Sequence, residues 1–83
     1  MWFVYVLLCE DGSLYTGVSD DVEKRFQVHL SGKGSKYLRS HKPVRILHSE
    51  KVETRSDALK REAEIKSWSR QKKIEALQLN LPD

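Results

Sequence analysis

The sequence predicts a small α+β domain: a three-stranded antiparallel sheet with its first strand central, flanked by helices in the order β-β-α-(short α)-β-α-α. Three observations carry this prediction. Trp2 to Cys9 is an almost unbroken apolar run, rich in aromatic and β-branched side chains, and reads as a central strand. A turn signal, Glu10-Asp11-Gly12-Ser13, follows it at once and leads into a returning strand, Leu14 to Val18. Beyond Ser19 the apolar spacing changes to that of helices, introduced by short oxygen-bearing side chains such as Ser19 and Thr54.

Size and composition set the bounds. With 83 residues, 39% of them apolar, the chain is expected to form one domain around one thin two-layer core, which disfavours a deep enclosed pocket. Cys9 is the single cysteine and lies within an apolar run, so packing must hold the fold. A buried structural thiol and a reducing, cytoplasmic setting are expected. Met1 to Leu8 is too short to cross a bilayer and lacks a basic leader and a small-residue cleavage site, so neither export nor membrane insertion is expected.

Turn chemistry fixes the hairpin register. Gly12 falls at the left-handed position of a three-residue loop, after a type I turn through Glu10 and Asp11. That register pairs Cys9 with Ser13, Leu7 with Tyr15 and Tyr5 with Gly17, which puts Tyr5 and Tyr15 on one face as diagonal neighbours. Gly17, opposite Tyr5, is expected to leave open space above the sheet for close approach.

Ser19-Asp20-Asp21 with Glu23 beyond marks a helix start, and that helix is expected from Asp21 to Leu30, ending near Gly32. Val22, Phe26 and Leu30 form its buried stripe, with Arg25 and His29 one above the other beside it. Ser31 to Lys36 reads as a flexible basic loop, Tyr37 to His41 as a short helix before Pro43, and Val44 to Val52 as a third strand. Two further helices are expected, Asp57 to Ser69 and Gln71 to Leu77, after which Leu79 to Asp83 should fray.

Charge is distributed unevenly around a net value of +3. From Lys24 through Ser49 there is no acidic residue, while Lys24, Arg25, Lys33, Lys36, Arg39, Lys42, Arg45 and all the histidines fall there. Such a block focuses positive potential on part of a small surface, as a polyanion requires. Lys33, Lys36 and Arg39 lie in or beside a glycine-containing loop that can offer backbone amides as well as charge to a phosphate. Tyr37 can either stack on an exposed base or anchor the loop.

Glu62 stands apart from the other acids. At about 100° per residue, Ala58, Leu59, Ile65 and Trp68 define the inward face of the penultimate helix, and Glu62 falls near its centre. An inward carboxylate needs a cation, a metal ion or several hydrogen bonds. On the residues alone, a structural ion pair and a functional site stay equally open.

The ordered set of these residues resembles the GIY-YIG endonuclease superfamily, in particular its small standalone members. Phe3-Val4-Tyr5 stands in the place of the first tripeptide and Tyr15-Thr16-Gly17 in that of the second. Arg25 and His29 on the first helix and Glu62 on a later one follow in the family's order. Gly32-Lys33-Gly34-Ser35-Lys36-Tyr37 and Arg61-Glu62-Ala63-Glu64-Ile65-Lys66 resemble local signatures of the small branch. The resemblance covers residues 2–75; Phe3 replaces the family's first glycine, and Ile74 falls where some members carry an asparagine.

The resemblance implies hydrolysis of a phosphodiester with one divalent cation, Mg²⁺ or Mn²⁺, held by Glu62. Arg25 would grip the same phosphate. Tyr5 or Tyr15 would take a proton from the attacking water, with His29 as an alternative carrier. The expected partner is nucleic acid, DNA ahead of RNA, recognised by structure rather than sequence. Gly17, Lys33, Lys36, Tyr37, Arg39 and Lys66 are its candidate contacts. A protein partner or homodimer stays open, as do two other classes: a nucleic-acid-binding module with little activity, and a partner-dependent adaptor.

Overall fold

The computed structural model describes residues 1–81. In chain order the elements are β1 (Trp2–Cys9), β2 (Leu14–Ser19), α1 (Val22–Leu30), α2 (Lys36–Ser40), β3 (Pro43–Val52), α3 (Arg55–Lys66) and α4 (Arg70–Ala76). The strands form one antiparallel sheet in the order β2-β1-β3, with the first strand central as expected.

The unbroken apolar run of β1 is explained by what covers it. Side chains alternate across a strand. Val4 and Val6 therefore pack with Ala58 and Ile65 of α3 and with Leu77 and Leu79 beyond α4, while Tyr5, Leu7 and Cys9 pack on the other face with Phe26 of α1 and Leu38 of α2. The sheet is thus sandwiched between two helical layers, where the sequence led us to expect a thin core of two layers. Burying each such side chain contributes about 1.5–3 kcal/mol, so this central strand accounts for much of the apolar stabilisation.

The hairpin register is the expected one, pairing Tyr5 with Gly17 and Leu7 with Tyr15. Gly12 adopts φ +86°, the left-handed conformation its turn requires, and the amide of Cys9 donates to the Ser13 carbonyl at 2.9 Å. Each helix opens on a side-chain cap. Asp21, Ser35, Thr54 and Ser69 accept from the amides of Lys24, Leu38, Asp57 and Lys72 respectively.

Three expectations about burial are corrected. Leu30 and Leu59, placed on inward stripes by their spacing, stay 37% and 39% exposed, because a sheet of three strands is too narrow to cover the full apolar arc of either helix. Leu79, expected to fray, is buried in the core beside Leu77, and its amide donates to the Ile74 carbonyl. Pro82 and Asp83, the end of that expected frayed segment, lie outside the described residues.

One polar clamp fixes α3 against the sheet. The Arg61 guanidinium donates through Nε and Nη2 to the two carboxylate oxygens of Glu50 on β3, at 2.8 Å each, and through Nη1 to Glu64 at 2.6 Å. Its planar face also lies over the Trp68 ring, 5.2 Å from the centroid. His48 shares Glu50 at 2.9 Å. The Arg61 hydrogen bonds hold the Glu50 carboxyl below its ordinary range, partial burial opposes them, and His48 adds to the lowering.

Replacing Glu50 with Ala should cost about 1–3 kcal/mol, because Arg61 keeps its charge and loses its bidentate acceptor. Because the Glu50 pKa is depressed on folding, this contribution is present at neutral pH and is lost on acidification through its folded value. Urea denaturation at pH 7 and under acid conditions measures both effects. Equal midpoints for wild type and variant at pH 7 would show that the clamp contributes nothing.

Candidate active site

The hairpin and α1 bring three ring systems together. Tyr5 is 2% exposed, and its ring lies directly over Gly17 on the neighbouring strand. A Cβ at Gly17 would come within 2.6 Å of the Tyr5 hydroxyl and 2.7 Å of Cζ. The open space expected above Gly17 is therefore filled by the tyrosine of the paired strand. The absence of a side chain at 17 serves the Tyr5 phenol.

From α1, His29 reaches the same point. Its Nε2 is 3.0 Å from the Tyr5 hydroxyl, in a buried hydrogen bond. Apolar spacing placed His29 beside the buried stripe, whereas it is the one fully buried residue of α1. Tyr15 completes the cluster, its ring 6.4 Å from that of Tyr5 and 5.6 Å, edge-on, from that of His29. Nδ1 of His29 has no hydrogen-bond partner among the described residues.

The charges around this cluster are those of the other candidates. Burial, reinforced by Tyr15, pushes the Tyr5 phenol up to about 12; Arg25 pulls the other way, and Glu62 adds a small further rise. Burial and then the Arg25 charge hold His29 below its ordinary value, a backbone interaction with Lys33 opposing them. His29 is accordingly neutral at pH 7, able to accept a proton. Tyr5, Tyr15, Arg25, His29 and Glu62 thus share one electrostatic neighbourhood, although they come from two strands and two helices.

Glu62 is half-buried, its side chain 19% exposed, and its Oε2 lies 3.2 Å from Nζ of Lys66 one turn later. Ala58 and Ile65 form the deepest part of α3, and Glu62 sits at the margin of that face. Among the described residues, no group of three or more His, Cys, Asp and Glu side chains is arranged to hold a metal ion. A partly exposed carboxylate is nevertheless the donor chemistry of a hard cation such as Mg²⁺, which keeps several waters and shares its shell with substrate phosphates.

The remaining candidates spread outward. Tyr15, Tyr37 and Lys66 line a groove of about 280 Å³ along the β2 edge, together with Leu14, Thr16 and Lys73. Lys36 and Arg39, with Ser40, line a shallow depression on α2, and Lys33 is exposed in the loop before it. Sequence reasoning missed Lys73, whose signal was the basic run Arg70 to Lys73, and the Tyr5–His29 bond, for which spacing along one chain gives no signal.

Gly17→Ala should destabilise the protein by about 1–3 kcal/mol, the usual cost of overpacking, and should displace the Tyr5 ring from His29. Thermal melts and the tyrosine and histidine ring signals in NMR check this. An unchanged melting temperature with unmoved Tyr5 resonances would rule out the close approach.

Comparison with known proteins identifies the family. The GIY-YIG catalytic domain family matches residues 1–75. A UPF0213 protein of Staphylococcus saprophyticus is 48% identical over 75 residues, spanning 90% of this chain and 92% of that one. A UPF0213 protein of Staphylococcus aureus is 51% identical over 72 residues, 87% of this chain and 88% of its own. The solution structure of a UPF0213 protein from Bacillus halodurans superposes with a TM-score of 0.60 at 40% identity, covering 94% of this chain and 84% of that one. A protein from E. faecalis gives 0.63 at 43% identity, covering 92% and 81%. This chain therefore belongs to the GIY-YIG family, within a nuclease superfamily, and to its branch of small UPF0213 proteins.

Proposed function

We propose that this protein hydrolyses the phosphodiester backbone of nucleic acid, with DNA as its substrate and recognition by structure rather than sequence. The observation that carries the reading is the buried bond between Tyr5 and a neutral His29, inside the electrostatic reach of Arg25 and Glu62. A phenol held near 12 is a poor base on its own. Paired with a neutral imidazole it becomes a relay: as Tyr5 takes the proton of the attacking water it passes its own to Nε2, so no free phenolate forms. Tyr5 is thus the proton acceptor in this reading and Tyr15 the group that orients the water.

Arg25 donates to the scissile phosphate, and its charge also disfavours a lasting imidazolium at His29, so the proton returns from Nε2 through the Tyr5 hydroxyl to solvent once the leaving oxygen has departed. Glu62 would hold one divalent cation, Mg²⁺ or Mn²⁺, which when bound neutralises charge developing on the phosphate and the leaving oxygen. Lys66, now against Glu62, gains a phosphate partner when substrate arrives. The same Lys66–Glu62 contact is the observation that favours the second reading, a binding module in which an ammonium permanently occupies the place of the cation.

Two outcomes are expected. With Mg²⁺ or Mn²⁺, wild-type protein nicks supercoiled, branched or single-stranded DNA, while Glu62→Ala and Arg25→Ala each lose on the order of 100-fold or more in rate. Variants that cut as fast as wild type would remove these roles, and binding without cutting in all three proteins would establish the binding module. In addition, because His29 must be neutral to accept the proton and its folded pKa is depressed, the rate should hold at neutral pH and fall only below the ordinary histidine range. A His29→Gln variant should lose that acid limb, and a wild-type rate that rises as pH falls would contradict the relay.

A further inference from the structure

The groove along the β2 edge has a construction that hydrolysis alone does not explain. Its aromatic wall is part of a tier of near-parallel rings: Tyr15 and Tyr37 lie 6.0 Å apart at 23°, and Tyr37 and His41 lie 4.1 Å apart at 6°. Tyr37 is 39% exposed. A lone exposed ring is commonplace in soluble proteins, but this one is held flat by His41 on one face, has Tyr15 6.0 Å away on the other, and borders a groove with two ammonium groups, Lys66 and Lys73. On its other side, α2 presents Lys36 and Arg39. Two carboxylates touch the arrangement: Glu62, 3.2 Å from Lys66, and Asp11, 3.7 Å from His41.

Flat rings flanked by cations suit one ligand chemistry. Aromatic side chains stack on base faces with little regard to sequence, while Lys and Arg neutralise the phosphates on either side. Within a duplex both faces of each base are covered by its neighbours, so stacking on a protein ring requires a base that is out of the helix. A groove of about 280 Å³ lies at the lower end of ligand-sized pockets, which run to roughly 300–1,000 Å³, and matches a single planar group.

We infer that this groove holds an unpaired nucleotide beside the cleavage site, its base against the exposed part of the Tyr37 ring on the side of Tyr15 and its phosphate between Lys66 and Lys73. Its position relative to the cut rests on the hydrolysis reading above. To that reading it adds the substrate class, a single-stranded or splayed strand, and assigns nucleotide binding to Lys73 and the support of Tyr37 to His41. Tyr15 belongs to both the catalytic cluster and the groove wall, so a base seated there sets where its adjoining phosphate meets Arg25.

Fluorescence anisotropy with a short labelled oligothymidylate, in chelator so that nothing is cut, tests the inference. Stacking is worth about 1–3 kcal/mol per base, so Tyr37→Leu should weaken single-strand binding roughly 5- to 150-fold without changing the salt slope. Tyr37→Phe, which keeps the flat ring, should bind like wild type. Lys73→Gln should lower the salt slope by about 0.7, the loss of one phosphate contact on a single strand. A blunt duplex and an abasic strand should bind weakly and be indifferent to Tyr37→Leu. Displacement by unlabelled poly(dT) or by poly(U) identifies the source as DNA or RNA, and displacement by neither overturns the inference.

Equal single-strand affinity for wild type and Tyr37→Leu would overturn it, as would a duplex bound as tightly and weakened as much. Far-UV circular dichroism and the Tyr37→Phe control separate lost stacking from lost folding. The two readings also fail separately. Cutting abolished by Glu62→Ala, with no effect of Tyr37→Leu on binding, removes the groove assignment alone; stacking intact with no cutting removes the hydrolysis reading alone.

Discussion

The candidate site depends on a buried phenol that must keep a hydrogen bond. Tyr5 lies on the central strand, where helices cover both faces of the sheet, and the residue is almost wholly buried. A buried hydroxyl without a partner costs several kcal/mol in an apolar setting. The His29 imidazole supplies the partner at 3.0 Å, and that requirement fixes the position of α1 over the sheet. Gly17 meets the same need from below, since any side chain there would occupy the space of the ring. One polar atom thus orders a strand pair and a helix together.

Burial sets the chemistry as well as the geometry. It raises the phenol and lowers the imidazole, moving both toward their neutral forms. A proton passed between two such neutral groups would leave an ion pair, which burial disfavours, so the transfer must be coupled to uptake of a second proton by the phenol. Arg25 and Glu62 approach from the rim with opposite signs, and their influence on Tyr5 is correspondingly opposite. The cluster is therefore neutral at its centre and charged at its edge, an arrangement that leaves the ionic groups to whatever arrives from solvent.

Much of this was legible in the sequence, and what was not has identifiable causes. The β1 run, the Gly12 turn and the tyrosine register are short-range signals, and the structure agrees with each. Spacing on a helix reports which residues share a face but not how wide the covering surface is, so Leu30 and Leu59 were misplaced at the margins of a narrow sheet. His29 was placed beside its stripe because an apolar count gives no weight to a histidine whose partner is a phenol 24 residues away. The expected gap over Gly17 assumed an outside occupant, whereas the nearest large ring belonged to the paired strand. The Glu50–Arg61 clamp was invisible for a similar reason, since it joins the outer strand to a helix and neither residue signals its partner.

That clamp bears on how the protein tolerates changes of length. Arg61 and Glu62 are adjacent, so one residue grips β3 while the next turns about 100° away to meet Lys66. Adding or deleting a single residue in α3 upstream of Arg61 would rotate both at once, trading anchor for acid. The Gly32–Gly34 loop is exposed to solvent, yet it too is tied to the site, since a Cβ at Gly34 would lie 3.2 Å from Nδ1 of His29. Insertions and deletions should therefore be excluded from α3, which keeps a fixed count of residues between its cap at Thr54 and its carboxylate.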